Sequence, residues 1–318
     1  MPQLTRLAAL ALIVLVGACA RTPVQPLQLD HLPAQVELRD TPFHPQDAYQ
    51  CGPAALATLL GQRGIEVSPE ALAPSVYLPE RRGSLQVELI ASARRHGLLV
   101  YPLAPSLEAL MAEVAAGNPV LVLQNLGFKR WPRWHYAVVV GYDRGARELI
   151  LRSGSEARQR ISWTNFDRTW VDGGRWGILT LPPERLPAQA EATRWLQAAS
   201  DLEETGQTGA AERAYATAIR QWPDAPLPWF ALGNLQYAQG QTQAAETSLR
   251  RAVATHPPLP AAWHNLAQLL SERGCAQQAA EAARCAQRLN PDDARLGRLA
   301  EAAAETRRCA PPPACPAS

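Results

Sequence analysis

The sequence predicts an α+β domain followed by an all-α repeat array, on three observations. Residues 39–185 open with helix-period apolar patterns and close with strand-like apolar runs, the order of an α+β fold. Beyond Pro182, Pro183 and Pro187, tryptophans recur at positions 195, 229 and 263, a constant spacing of 34. A length of 318 residues accommodates about two domains.

In the first domain, Pro53 opens a helix whose Leu56, Leu59 and Leu60 share one face. A second helix is expected from Ser84 to His96, stopped by Gly97, and a third from Ser106 to Ala116, stopped by Gly117. Strands follow at Val120–Gln124, Tyr136–Tyr142, Glu148–Arg152, near Gln159–Ser162, and at Gly177–Leu181. The turn Asp143-Arg144-Gly145-Ala146 joins two of them as a hairpin.

Apolar types make up 47% and charged types 19%, which excludes wholesale disorder. The net charge of +2 writes no polyanion-binding surface into the totals, so no nucleic-acid partner is expected. Lys129 is the only lysine; the preference for arginine reads as coding bias. No H-E-x-x-H, paired C-x-x-C or phosphate-loop pattern occurs, so no cofactor and no metal are expected.

Arg6 precedes an apolar run from Leu7 to Ala18, too short to span a bilayer of ~30 Å and laid out like a secretory signal. Val16-Gly17-Ala18-Cys19 resembles the lipobox of bacterial lipoproteins. That resemblance implies a signal peptide over 1–18, lipid on Cys19 as a membrane anchor, and a tether over 19–38. With Ala20 next, it implies the periplasmic face of the outer membrane. A plain secretory signal with an incidental cysteine is the other reading.

Export makes disulfides possible. Cys275, Cys285, Cys309 and Cys315 can form two, the last two in a Pro/Cys tail over 308–318. Cys275 and Cys285 belong on one helix about 15 Å apart, too far to bridge each other. The sequence leaves the connectivity open.

Around each spaced tryptophan the same small and large residues recur. Repeat one has Trp195, Ala199, Leu202, Ala211, Tyr215, Ala218 and Pro223. Repeat two has Trp229, Leu232, Gly233, Ala245, Leu249, Ala252 and Pro257. Repeat three has Trp263, Leu266, Ala267, Leu270, Ala279, Ala283, Ala286 and Pro291. This resembles the tetratricopeptide repeat over about 193–307, after a linker at 186–192, and implies a solenoid with a protein or peptide partner. The tryptophans read as core. Asp292 is expected to cap a last helix through about Arg307. Gln236 stands where Leu202 and Leu270 stand in the other repeats, and a rotated helix is expected to bring Tyr237 to the seam instead.

Cys51 falls at the start of the first helix, where the dipole and free N–H groups favour thiolate. Such a nucleophile needs a base, and His135 opens the apolar strand Tyr136–Tyr142. Cys51-Gly-Pro-Ala-Ala-Leu56, Gly117-Asn-Pro-Val-Leu-Val-Leu123, His135-Tyr-Ala-Val-Val-Val-Gly-Tyr-Asp143 and Phe166-Asp-Arg-Thr-Trp170 together resemble the bacteriocin-processing (double-glycine leader) cysteine peptidases. The resemblance spans about 40–182 and implies a papain-like fold acting on a protein or peptide substrate. It implies Cys51 as nucleophile and His135 as general base and acid. Gln46 is the candidate oxyanion donor, although it stands five residues before the cysteine where the family has six. Ser153 occupies the place of the family's orienting aspartate and brings no charge; Asp143 belongs to the turn. Trp131 and Trp134 either line a peptide cleft or anchor their loop. A peptidase-like module that only binds is the first rival, and cleavage of peptidoglycan cross-peptides or transglutamination the second.

Overall fold

The computed structural model describes residues 27–45, 50–255, 258–293 and 309–316 of the chain. The segment up to Leu32 forms its own unit, in which the Leu32 N–H donates to the Leu29 carbonyl. The signal segment, Cys19, Gln46 and the capping helix expected up to Arg307 lie outside the described residues.

The α+β part is built on one seven-stranded antiparallel sheet. In chain order its elements begin with β1 (Gln35–Glu37), α1 (Cys51–Gln62) and α2 (Pro69–Val76). A small hairpin follows, β2 (Tyr77–Leu78) with β3 (Gly83–Ser84), then α3 (Gln86–Arg95), β4 (Leu99–Pro102) and α4 (Leu107–Ala115). The rest is β5 (Val120–Asn125), β6 (Trp134–Asp143), β7 (Glu148–Ser153), β8 (Glu156–Ser162), α5 (Trp163–Asp172) and β9 (Gly177–Leu181). The strand order is β4-β9-β5-β6-β7-β8, with β1 added to the far end of β6.

The expected elements form, with corrections. Ser84 pairs with Tyr77 in the small hairpin rather than starting α3, which begins at Gln86. The sheet also draws strands from the part that reads as helical: β1 and β4 have no periodicity long enough to announce them. Ser106 caps α4 and Ser162 caps α5, each side chain accepting a backbone N–H three residues on. Burial explains the rest. Leu56, Leu59 and Leu60 of α1 pack in one core with Tyr136, Val138 and Val140 of β6, so the helix lies on the strand's first half.

The far end of α1 is tied down by Arg63, which donates through Nε to the Thr180 carbonyl (2.7 Å) and through Nη2 to Asn118 (3.0 Å). Asn118 in turn donates to the buried carboxylate of Glu113, which also accepts the backbone N–H groups of Ala188 and Gln189. One carboxylate thus fixes the connection to the helical part. Tyr101 on β4 reinforces it, its hydroxyl accepting the Glu191 N–H, and Arg94 pairs with Asp201.

The helical part comprises three antiparallel pairs: α6 (Ala192–Glu204) with α7 (Thr208–Gln221), α8 (Pro226–Ala238) with α9 (Thr242–Ala254), and α10 (Pro260–Glu272) with α11 (Ala276–Leu289). Gly206, Gly240 and Gly274 turn each pair with positive φ, repeating the 34-residue period in the backbone. Trp195 and Trp263 are fully buried, but Trp229 is only partly so. In the same repeat Gln236 itself fills the seam, accepting the Ser248 hydroxyl at 2.7 Å, while Tyr237 points out to Glu272. The helix is not rotated: a serine on α9 gives the glutamine a partner, which removes the cost of burying it. Disulfides join Cys275 to Cys309 and Cys285 to Cys315, fastening the tail to the last pair.

Candidate active site

Cys51 is the first residue of α1 and the one free cysteine among the described residues. Gly52 follows because nothing larger fits: a Cβ there would stand 2.2 Å from Ser84 Oγ. The small hairpin therefore lies directly over the start of the helix. Ser84 Oγ is buried with no hydrogen-bond partner among the described residues, and its carbonyl accepts the Tyr136 hydroxyl at 3.2 Å.

Strand β6 brings the histidine. His135 is its second residue, paired with Gln124 across the ladder, and Gln124 is held by Thr169 of α5 at 2.7 Å. Alternation sends Tyr136 into the core, where its ring meets Trp176 edge-on at 5.9 Å. His135 turns the other way, and its Nε2 lies 2.9 Å from Ser153 Oγ at the end of β7.

Cysteine and histidine meet at one peptide unit. The N–H of Tyr136, the group that follows His135, favours the charged form of the Cys51 sulfur, as do the N–H groups of Gly52 and Cys51. Among the described residues no hydrogen bond joins the thiol to the imidazole. Such contacts commonly tighten only when substrate is bound.

The expected thiolate is not the resting form. Burial pushes the Cys51 thiol up, and the N–H groups of Tyr136, Gly52 and Cys51 do not reverse this. Burial also pushes His135 down, to about 4, helped by the Arg133 guanidinium. Both groups rest neutral near pH 7. The expectation of a lowered thiol pKa counted the helix terminus and omitted the desolvation that its packing against β6 imposes.

Gln46 lies outside the described residues. Asp143 is far along β6, its carboxylate accepting the Ala146 N–H and the Gln35 amide, so it belongs to the turn. Trp131 and Trp134 are 70% and 51% exposed, so neither ring is a buried anchor for its loop. Sequence reasoning missed Ser84 and the Tyr136 N–H. The hairpin contact is tertiary and leaves no local signal, whereas Tyr136 is legible as the residue after the histidine.

Residues 29–177 match the peptidase C39-like family, and residues 196–260 and 230–294 match the tetratricopeptide repeat. No curated protein matches the chain. A crystal structure of a putative C39-like peptidase from Bacillus anthracis is 19% identical, covering 47% of this chain and 98% of its own, with a TM-score of 0.40. The peptidase domain of Streptococcus ComA, a bifunctional ABC transporter of quorum sensing, is 21% identical over 44% of this chain and 98% of its own, with a TM-score of 0.35. YrrB, a tetratricopeptide protein with an unusual peptide-binding site, is 16% identical over 35% of this chain and 57% of its own, with a TM-score of 0.32. With its α+β sheet domain and its paired helices, the chain joins a peptidase C39-like domain to a run of tetratricopeptide repeats.

Proposed function

We propose that the first domain is a cysteine peptidase that hydrolyses a peptide bond in a protein or peptide substrate. The observation that carries this reading is the placing of the Cys51 sulfur at the His135–Tyr136 peptide while Ser153 engages the histidine's Nε2. With Nε2–H donating to Ser153, Nδ1 keeps a lone pair and is the base. As Sγ attacks the substrate carbonyl carbon, the thiol proton passes to His135. The oxyanion is received by the Cys51 N–H and by the Gln46 side chain. Collapse expels the amine, which takes the proton from His135, and leaves a thioester on Cys51. Water, deprotonated by His135, then releases the acid and restores the thiol. A neutral resting pair suits this sequence, because the charges form only as the bond to carbon forms.

The repeats supply a surface for a protein partner, and lipid on Cys19 would hold the chain at the periplasmic face of the outer membrane. That anchoring rests on the lipobox-like segment alone.

Labelling by a peptidyl epoxide tests the reading. Modification at Cys51 should fall at least about 100-fold in His135→Ala, the scale of a lost general base. Equal labelling of both folded proteins would refute it. That result would favour the second reading, a peptidase-like binding module, which the uncharged Ser153 supports.

A further inference from the structure

We propose that the tip of the β5–β6 hairpin is a membrane-docking element that places Phe128 and Trp131 in the interfacial layer of an anionic bilayer. Eight large apolar side chains are exposed among the described residues, and four of them, Leu126, Phe128, Trp131 and Trp134, crowd into this one turn. Phe128 is 78% and Trp131 70% exposed.

The turn is built rather than loose. The N–H groups of Phe128 and Trp131 donate to each other's carbonyls at 3.2 and 3.0 Å, and Leu126 donates to Arg133 at 2.9 Å. The buried side chain of Asn125 accepts the N–H groups of Gly127 and Arg133, both at 2.9 Å. A Cβ on Gly127 would stand 2.5 Å from the Trp131 carbonyl, so the turn closes only with glycine there. Aromatic rings are thereby held out in water on a fixed backbone.

Shape and charge choose the occupant. A peptide site is concave, whereas the rings of Phe128 and Trp131 are left mostly uncovered by the described residues. Lys129, Arg130 and Arg133 are interleaved with the rings, and no acidic residue occurs from Asn125 to His135. Arg130 lies 5.5 Å from the Trp131 ring centroid, and Lys129 stays 83% exposed beside Asp172. Aromatic rings with cationic neighbours match the layered polarity of a lipid headgroup region, which demands no complementary surface. The proposal does not depend on turnover at Cys51. Docking would set the cleft at the membrane surface, since Trp134 directly precedes His135.

The full chain is added to vesicles of phosphatidylethanolamine and phosphatidylglycerol with brominated acyl chains, which quench only tryptophans that touch the bilayer. The wild type has nine tryptophans, and part of their emission is expected to be quenched. Most of that quenching should disappear in Trp131→Phe. It should fall several-fold in Lys129→Ser/Arg130→Ser/Arg133→Ser, whose substitutions are exposed and leave the core intact. Bound protein without quenching, quenching that Trp131→Phe leaves unchanged, or failure to bind the vesicles overturns the proposal and gives the tip to a protein partner.

Discussion

Replacing Ser153 by aspartate puts a carboxylate where a hydroxyl now stands 2.9 Å from His135 Nε2. Burial and Arg133 hold the imidazole at about 4, well below its ordinary 6.5. The difference corresponds to a penalty of about 3 kcal/mol on the charged ring. A carboxylate about 4 Å from the imidazolium is worth about 4 kcal/mol at an effective dielectric of about 20. Half of that survives if solvent screens the partly open site, so the histidine should rise by roughly 1.5 pKa units. NMR titration of the His135 Cε1–H reads this directly, and Ser153→Asn, uncharged and similar in size, should leave the wild-type value. Epoxide labelling of Cys51 near neutral pH should quicken by roughly tenfold in Ser153→Asp, as the ring becomes a better base. A wild-type His135 that titrates near 6.5, or an aspartate variant that does not move, would refute the account of the site.

The same depressed histidine makes stability depend on pH. Its folded pKa is below the unfolded one, so the unfolded chain binds the extra proton between about 4 and 6.5, and stability falls as pH drops through that window; urea unfolding of His135→Gln should lose this slope. Gly52→Ala should cost roughly 2 kcal/mol or more by driving a methyl into Ser84, and Ser84→Gly in the same chain should recover most of it in thermal unfolding. Glu113→Ala leaves Asn118, Ala188 and Gln189 without their acceptor, and a loss of roughly 3 kcal/mol should separate the denaturation of the two domains into two transitions. Reducing the Cys275–Cys309 bond reopens a 34-residue separation, and chain entropy predicts a loss of about 3.8 kcal/mol confined to the last helix pair, measurable by hydrogen exchange with and without reductant.

Long periodic segments were the legible ones. The continuous apolar run after His135 announces β6, and the run after Gly177 announces β9, because a strand buried on both faces needs apolar residues throughout. Three-residue β1 carries no such pattern and exists because β6 outruns β5 and offers it an edge. Helix α2 was hidden by Pro69 and Pro74, although Ser68 caps it and accepts the Ala71 N–H. In α5, Phe166 and Trp170 stand one helical turn apart and bury the same face, a spacing that the sequence displays. At the site, motifs single out Cys51 and His135, and Ser153, named only by its place in the chain, lies 2.9 Å from the histidine, whereas no motif reveals the protonation states. Those depend on how deeply α1 and β6 bury one another, a property of no single segment. The glutamine of repeat two shows the same limit, since its partner Ser248 sits on the next helix.

Strand β9 lies between β4 and β5, although it is the last of the sheet to be synthesised. Until residue 181 has emerged, a growing chain holds two open sheet edges where the finished molecule has an interior. Exposed edges of that kind invite pairing with other chains. Glu113 extends the dependence to residue 189, whose N–H it must accept before the charge is fully compensated. Folding in order of synthesis is therefore barred to this domain, and a chain stopped short of its final strand should require a holding chaperone rather than rest as a smaller stable protein.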